Sequence, residues 1–320
     1  MNNVLLLSAG RRVELAQAFK AEIQARHLAS RLFSTELHPK LSAVSPIVDQ
    51  AFIAPRVTEP GYPAFLMDLC RKQGVGLLIP TIDTELAVLA HHRNDFEAHG
   101  IHIVISDESL VSMCRDKRLT GRLFSDLGID SPQIYLPQQI AFPCFAKPYD
   151  GSRSVGAIKL PDPISLNAGL LANEKMMFCE FIDSSHTEFT VDAYFGRTGE
   201  LKCLVPRERI EVRDGEISKG ATRRHHVYEY LLPKLKALTG ARGCITLQIF
   251  SNPTTGRFAA LEINPRFGGG FPLSYSAGAN YPGWLLDEYF LQKDIPFFDK
   301  WEANLLMLRY DAKVLVHNFD

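Results

Sequence analysis

Short apolar runs alternating with amphipathic helices over the first third of the chain constrain its fold more than any other feature. Val4 to Leu7 reads as a compact strand, Ser8-Ala9-Gly10 as a turn, and the next segment as a helix with Leu15, Ala16, Phe19 and Ile23 on its apolar side. A second strand surrounds Leu32 to Thr35, and a helix runs near Tyr62 to Lys72. Gly76 to Pro80 is a third strand, Glu85 to His99 is helical again, and Ile101 to Ile105 returns as a strand. Strands that alternate with helices imply a parallel sheet covered on both faces. The turn Ser8-Ala9-Gly10-Arg11-Arg12 has a single glycine. It therefore lacks the spacing of a dinucleotide fingerprint and disfavours an NAD dehydrogenase.

Near residue 112 the pattern changes. Asp116 is placed to cap a helix carrying Leu119, Leu123, Phe124 and Leu127 and ending at Gly128. Pro132, Pro137 and Pro143 punctuate the entry into a strand at Cys144 to Lys147. The remainder reads mainly as strands, at Met177 to Ile182, Phe189 to Phe195, Leu201 to Pro206, Ile245 to Phe250 and Phe258 to Asn264, with a helix between Tyr228 and Thr239. A closing helix at Trp284 to Phe290 and a last strand within Leu305 to Val316 complete the expectation. A chain of 320 residues has room for two or three lobes with cores of their own.

Composition narrows the function classes. With 46% hydrophobic and 22% charged residues and a net charge of -1, the chain reads as soluble and globular, with neither nucleic acid nor a membrane surface as its main partner. Val4 to Leu7 is too short for a signal peptide's apolar core or a spanning helix, and no later stretch approaches membrane length. Six scattered cysteines fit neither a zinc knuckle nor a disulfide scaffold, which implies buried thiols in a reducing cytoplasm.

The segment richest in chemistry is Gln248 followed by Leu261-Glu262-Ile263-Asn264-Pro265-Arg266. In a strand, Glu262 and Asn264 point one way and Leu261 and Ile263 the other. If the two strands pair through the turn at Asn252 to Gly256, Gln248, Glu262 and Asn264 converge on one face. Three oxygen-bearing side chains suit a hard cation such as Mg²⁺, and Arg266 lies on the same side, placed to stabilise a transferring phosphoryl group. A sheet with one solvated face is the alternative. A second segment, Phe145-Ala146-Lys147-Pro148 running into Gly151-Ser152-Arg153-Ser154-Val155-Gly156, can fold over phosphates, with Lys147 as a point charge. It also fits an ordinary hairpin connection, and it is not a Walker motif. Lys117, in the first turn of a helix, opposes the helix dipole, which a nucleotide-facing role would explain as well as an exposed surface position would. Glu180 and Glu188 stand near strand ends. Arg207, Arg209, Lys219, Arg223 and Arg224 form a basic stretch followed by His225 and His226, suited to an anionic substrate or to a solvated loop. Arg11 and Arg12 sit where open α/β sheets present ligands.

Taken in order, these pieces resemble the ATP-grasp superfamily, most closely its carbamoyl-phosphate-synthase-like branch. The resemblance covers nearly the whole chain. Leu5 to Arg12 and Ile79 to Leu86 look like the Rossmann-like domain that precedes the grasp, and Asp116-Lys117, Thr120 and Gly128 to Pro132 look like the entry to it. The implied fold is α/β plus α+β: a Rossmann-like pre-ATP-grasp domain at 1–112, a small lobe with the glycine-rich loop at 113–186, and a large lobe with metal and acceptor sites at 187–320.

The resemblance also assigns roles. It implies that Lys117 and Lys147 touch the nucleotide and its phosphates, and that Gly151, Ser152, Arg153, Ser154 and Gly156 close over them. Glu180 with the backbone of Phe181 and Ile182 would hold adenine, and Glu188 the ribose. Gln248, Glu262 and Asn264 would hold Mg²⁺ (or Mn²⁺), with Arg266 and Lys147 catalytic. Arg207, Arg209, Arg224, Gly268 and Gly269 are expected at the acceptor site. The implied reaction is ATP-dependent activation of a small-molecule carboxylate as an acyl-phosphate for attack by an amine. A bicarbonate-using carbamoyl-phosphate-like or carboxylating enzyme, or a non-catalytic ATP sensor, are the alternatives. Many relatives carry a further C-terminal lobe, so either a minimal version or a second subunit completing the acceptor site is expected, with a homodimer as the family-based guess.

Overall fold

The computed structural model describes residues 2–151, 155–213, 215–224 and 226–319. Its first sheet is parallel and five-stranded: β1 (Asn3–Leu7), β2 (Leu32–Glu36), β3 (Gln50–Ile53), β4 (Val75–Pro80) and β5 (His102–Ile103), in the spatial order β3-β2-β1-β4-β5. Val4 to Leu7 and Val75 to Pro80 are buried throughout, as strands covered on both faces must be. Helices α1 (Val13–Ala25), α2 (Tyr62–Gln73) and α3 (Asp83–Glu97) supply that cover. The order reverses between β1 and β4, and such a switch point leaves a crevice at the carboxyl ends of the strands. Ser8 to Arg12 and Thr81 to Asp83 line that crevice. Beneath it, Glu85 is fully buried and accepts hydrogen bonds from Ser8 and from the Tyr62 hydroxyl. Burial pushes its carboxyl up to about 7, against the pull of those bonds.

Helices α4 (Glu108–Arg115) and α5 (Lys117–Asp126) follow, and the Asp116 side chain accepts from the Arg118 amide at the start of α5. Gly128 closes the helix at φ 65°, a left-handed conformation open to glycine at little cost. Next come β6 (Ile134–Tyr135), β7 (Cys144–Pro148), β8 (Ile158–Leu160), α6 (Ala168–Ala172) and β9 (Met176–Glu180), whose strands form an antiparallel four-stranded sheet in the order β6-β9-β7-β8.

The third sheet is six-stranded, in the order β14-β13-β10-β11-β12-β15. It comprises β10 (Thr187–Phe195), β11 (Leu201–Arg213), β12 (Glu216–Thr222), β13 (Gly243–Ser251), β14 (Phe258–Asn264) and β15 (Leu306–Leu308). Helix α7 (His226–Leu235) precedes β13, and α8 (Phe271–Ser276) and α9 (Tyr281–Tyr289) follow β14. Alternation divides this sheet. Val191, Ala193, Ile245, Leu247, Ile249 and Ile263 enter the core, whereas Glu188, Thr190, Gln248, Glu262 and Asn264 take the other face. The core runs on from the first sheet into the third. Polar clamps fix α1 against α8 and α9: Arg26 lies 2.6 Å from Asp287, and Glu22 accepts from Tyr275 (2.6 Å) and Asn280 (2.7 Å). The crevice at β1 and β4 is thereby held beside the polar face of the third sheet.

Several elements depart from expectation. Strand β5 spans only His102–Ile103, and the expected last strand is only Leu306–Leu308, because β12 offers just Lys219 to Ala221 as a pairing edge. Strands β3 and β12, which carry no clear apolar period, and the short helix α4, with Leu110 and Val111 buried, were not expected; neighbouring strands and helices organise them.

Candidate active site

The turn after β13 sets β14 so that Gln248 faces Glu262 and Thr246 faces Asn264. The three expected metal ligands thus share one face. Asn264 Nδ2 donates to Glu262 Oε1 at 3.0 Å, which leaves the second carboxylate oxygen and the two amide oxygens as hard donors. Among the described residues, no group of three His, Cys, Asp or Glu side chains is placed to hold a metal. One carboxylate with two amides suits a Mg²⁺ that arrives with phosphate oxygens and waters filling its shell, rather than a closed protein cage.

Arg266 belongs to the same constellation. Its Nη2 donates to Asn264 Oδ1 at 3.3 Å, while Nε and Nη2 grip both oxygens of Asp83 at 2.9 and 2.7 Å. Asp83 comes from the start of α3 in the first domain, and nothing in the local sequence announced it as a partner. The fork-to-fork pair fixes the plane of the guanidinium.

Lys117 Nζ lies 3.4 Å from Glu262 and donates to the Gly151 carbonyl at 2.5 Å, tying the start of the glycine-rich segment to the Glu262 carboxylate. Lys147, on β7, has no ion-pair partner among the described residues. The two lysines line one cleft between the second and third sheets, together with Met177, Cys179, Ala260 and Leu261. A cation facing apolar walls in this way can neutralise phosphate beside a flat ring. Gly151 and Gly156 flank the segment, whereas Ser152, Arg153 and Ser154 lie outside the described residues.

Glu180, at the end of β9, accepts from Arg257 Nη2 at 2.6 Å and from the Gln133 amide at 3.3 Å, and Arg257 holds its carboxyl below the usual range. Phe181 lies under Lys159, 4.1 Å from the ring centre, and Ile182 is half-buried. Glu188 stands 3.1 Å from Arg209 on the polar face. Burial raises its carboxyl; the nearby Arg209 charge opposes this and that of Glu262 adds to it.

The expected acceptor residues do not form one group. Arg207 is 1% exposed and clasps Asp192 at 2.8 and 3.0 Å, with Ser274 and Thr246 also donating to Asp192. A guanidinium removed from water and neutralised in this way is a structural post, which corrects its reading as a direct substrate contact. Arg209 remains on the cleft face. Arg224 stacks on Tyr228 and Trp301 and donates to the Asp299 carbonyl, away from the cleft, so its assignment to the acceptor site is also corrected. Arg223 pairs with Glu208, and Lys219 with Glu211. His226 bonds Ser251, on the face of the sheet opposite Gln248, and His225 lies outside the described residues. Gly268 and Gly269 follow Arg266 beside Thr246 and Glu216: a Cβ on Gly268 would come 2.9 Å from the Thr246 hydroxyl, and one on Gly269 2.2 Å from a Glu216 oxygen.

The fold has counterparts among known proteins. Residues 4–104 match the family model described as "PylC-like, N-terminal domain", and residues 172–305 match "ATP-grasp in the biosynthetic pathway with Ter operon". The biotin carboxylase domain of Hydrogenobacter thermophilus 2-oxoglutarate carboxylase, solved with MgADP and bicarbonate, superposes with a TM-score of 0.72 at 14% identity, covering 95% of this chain and 73% of that one. N5-carboxyaminoimidazole synthetase from Staphylococcus aureus, complexed with ADP, gives 0.67 at 12% identity over 86% of this chain and 73% of that one. The L-amino acid ligase of Bacillus licheniformis gives 0.66 at 13%, over 91% and 74%. No curated protein matches. The fold is the one these ATP-grasp structures share. The chain belongs to the ATP-grasp superfamily and carries a PylC-like N-terminal domain.

Proposed function

We propose that this chain joins a small-molecule carboxylate to an amine at the expense of ATP. A carboxylate oxygen attacks the γ-phosphorus, and the bond to the departing ADP breaks. The amine then attacks the acyl carbon, loses a proton and expels phosphate. The observation that carries this reading is the in-register Gln248, Glu262 and Asn264 set beside an Arg266 locked by Asp83. In it, Lys147 and Lys117 bind the phosphates, the apolar walls at Met177 and Leu261 take adenine beside Glu180, Phe181 and Ile182, and Glu188 takes the ribose. Gln248, Glu262 and Asn264 would hold Mg²⁺, whose chemistry is to offset charge on the phosphates. Arg266 stabilises charge that builds on the transferred group, and the segment from Gly151 to Gly156 excludes water that would hydrolyse the activated acid.

We read residues 1–112, 113–186 and 187–320 as the three working units, and the cytoplasm as the compartment. The six free thiols support a reducing environment. No helix is long and apolar enough to cross a membrane among the described residues. The Hydrogenobacter domain was solved as a dimer, which supports a homodimer here. That structure also holds bicarbonate, which supports bicarbonate in place of an organic acid as a second reading.

ADP release from the purified protein with ATP and Mg²⁺, screened against pools of carboxylates, amino acids, amines and bicarbonate, tests the proposal. Stimulation by a carboxylate together with an amine is expected. Stimulation by bicarbonate without an organic acid would favour the second reading, and ATP bound with every pool inert would contradict both.

A further inference from the structure

We propose that Arg12 anchors a second anionic group on the carboxylate substrate, so that the acid activated here is a dianion. This inference rests on the ligase reading and names its substrate class. Arg12 stands at the carboxyl end of β1, half-buried in the switch-point crevice, where its Nη2 donates to the Thr81 carbonyl at 3.2 Å. Among the described residues no carboxylate comes within ion-pair reach of it. Its neighbour in charge is Arg266. Burial first, and then that like charge, push the Arg12 guanidinium down to about 10, against the smaller pull of Glu216 and Asp83.

Two guanidinium groups therefore share one partly desolvated place, and only one is neutralised in bidentate fashion. A charge kept from water without a close counter-ion is costly, and an anionic ligand relieves that cost. Arg266 is committed to the transferring phosphoryl group, which leaves Arg12 for another part of the same molecule.

The main chain that follows Arg266 is closely packed. A Cβ on Gly270 would lie 2.2 Å from Arg207 Nη1, a buried donor with no hydrogen-bond partner, and one on Gly269 would strike Glu216. Arg309 Nη2 donates to the Gly269 carbonyl at 2.8 Å and holds this backbone in place. The glycines thus seat the main chain after Arg266 directly on Glu216 and Arg207. A guanidinium fork accepts a carboxylate or a phosphate alike, so the shared chemistry is an oxyanion.

Butyrate, succinate and 3-phosphonopropionate share a propionate chain and end in a methyl, a carboxylate and a phosphonate. Calorimetric titration of each into protein loaded with magnesium and a non-hydrolysable ATP analogue tests the site. Succinate or phosphonopropionate is expected to bind at least about tenfold more tightly than butyrate, and the tighter of the two identifies the anion. Arg12→Ala is expected to erase about 10- to 100-fold of that advantage, as loss of a charge-assisted pair of hydrogen bonds implies. Arg12→Lys, which keeps the charge and loses the fork, is expected to fall between, and it carries the test should the alanine variant melt early. Equal binding of butyrate and both dianions, dianion binding untouched in either variant, or no binding by either dianion would overturn the inference. Arg12-dependent binding without ADP release from any acid and amine would fault the ligase reading and leave the anion site standing. ADP release driven equally by butyrate and the dianions would do the reverse.

Discussion

Glu262→Gln is expected to lower substrate-stimulated ADP release by about 100- to 1000-fold, the scale on which loss of one aimed electrostatic contact slows related chemistry. The substitution keeps the size of the side chain and the hydrogen bond from Asn264. It removes the one negative charge among the three candidate metal ligands, and with it the counter-charge 3.4 Å from Lys117. The residual activity should need more Mg²⁺, so a magnesium titration alongside the rate separates weakened metal binding from a collapsed fold. Unchanged turnover at ordinary magnesium would place the metal elsewhere.

Asp83→Ala should cost about 10- to 100-fold in kcat with ATP affinity nearly unaltered, the range seen when a partner that orients a reacting group is lost. Asp83 is a positioning residue. It holds both forks of Arg266, and without it that guanidinium retains the Phe267 carbonyl and the weaker contact to Asn264. Because the two partners come from different domains, the same change also loosens the seam between the first and third sheets. Steady-state kinetics distinguish the two consequences. A fall confined to kcat supports positioning, whereas equal losses in ATP KM and thermal stability with kcat intact would make the pair a mere clamp.

The contrast between Glu262 and Asp83 shows where the sequence runs out. Alternation along β13 and β14 assigns each side chain to a face, and the turn from Asn252 to Gly256 sets the pairing, so the meeting of Gln248, Glu262 and Asn264 could be read from spacing alone. Asp83 is 183 residues from Arg266, and only the docking of α1 against α8 and α9 brings them together. The basic stretch from Arg207 to Arg224 failed for a related reason. Proximity in the sequence grouped residues that the sheet divides: Arg207 sinks onto Asp192, Arg209 keeps the cleft face, and Arg224 lies beyond β12 against Tyr228 and Trp301. The parallel sheet was legible because its central strands β1 and β4 are buried, compact apolar runs. Strands β3 and β12 were not, since what forms them is pairing with β2 and with β11 and not a pattern of their own.

Oxygen-isotope transfer tests the central claim, activation as an acyl-phosphate, most directly. The acid that stimulates ADP release is labelled with ¹⁸O in its carboxylate and turned over with ATP and the amine. The account predicts ADP as the nucleotide product and one labelled oxygen in each inorganic phosphate released. Label appearing in AMP, or label absent from phosphate, would contradict it.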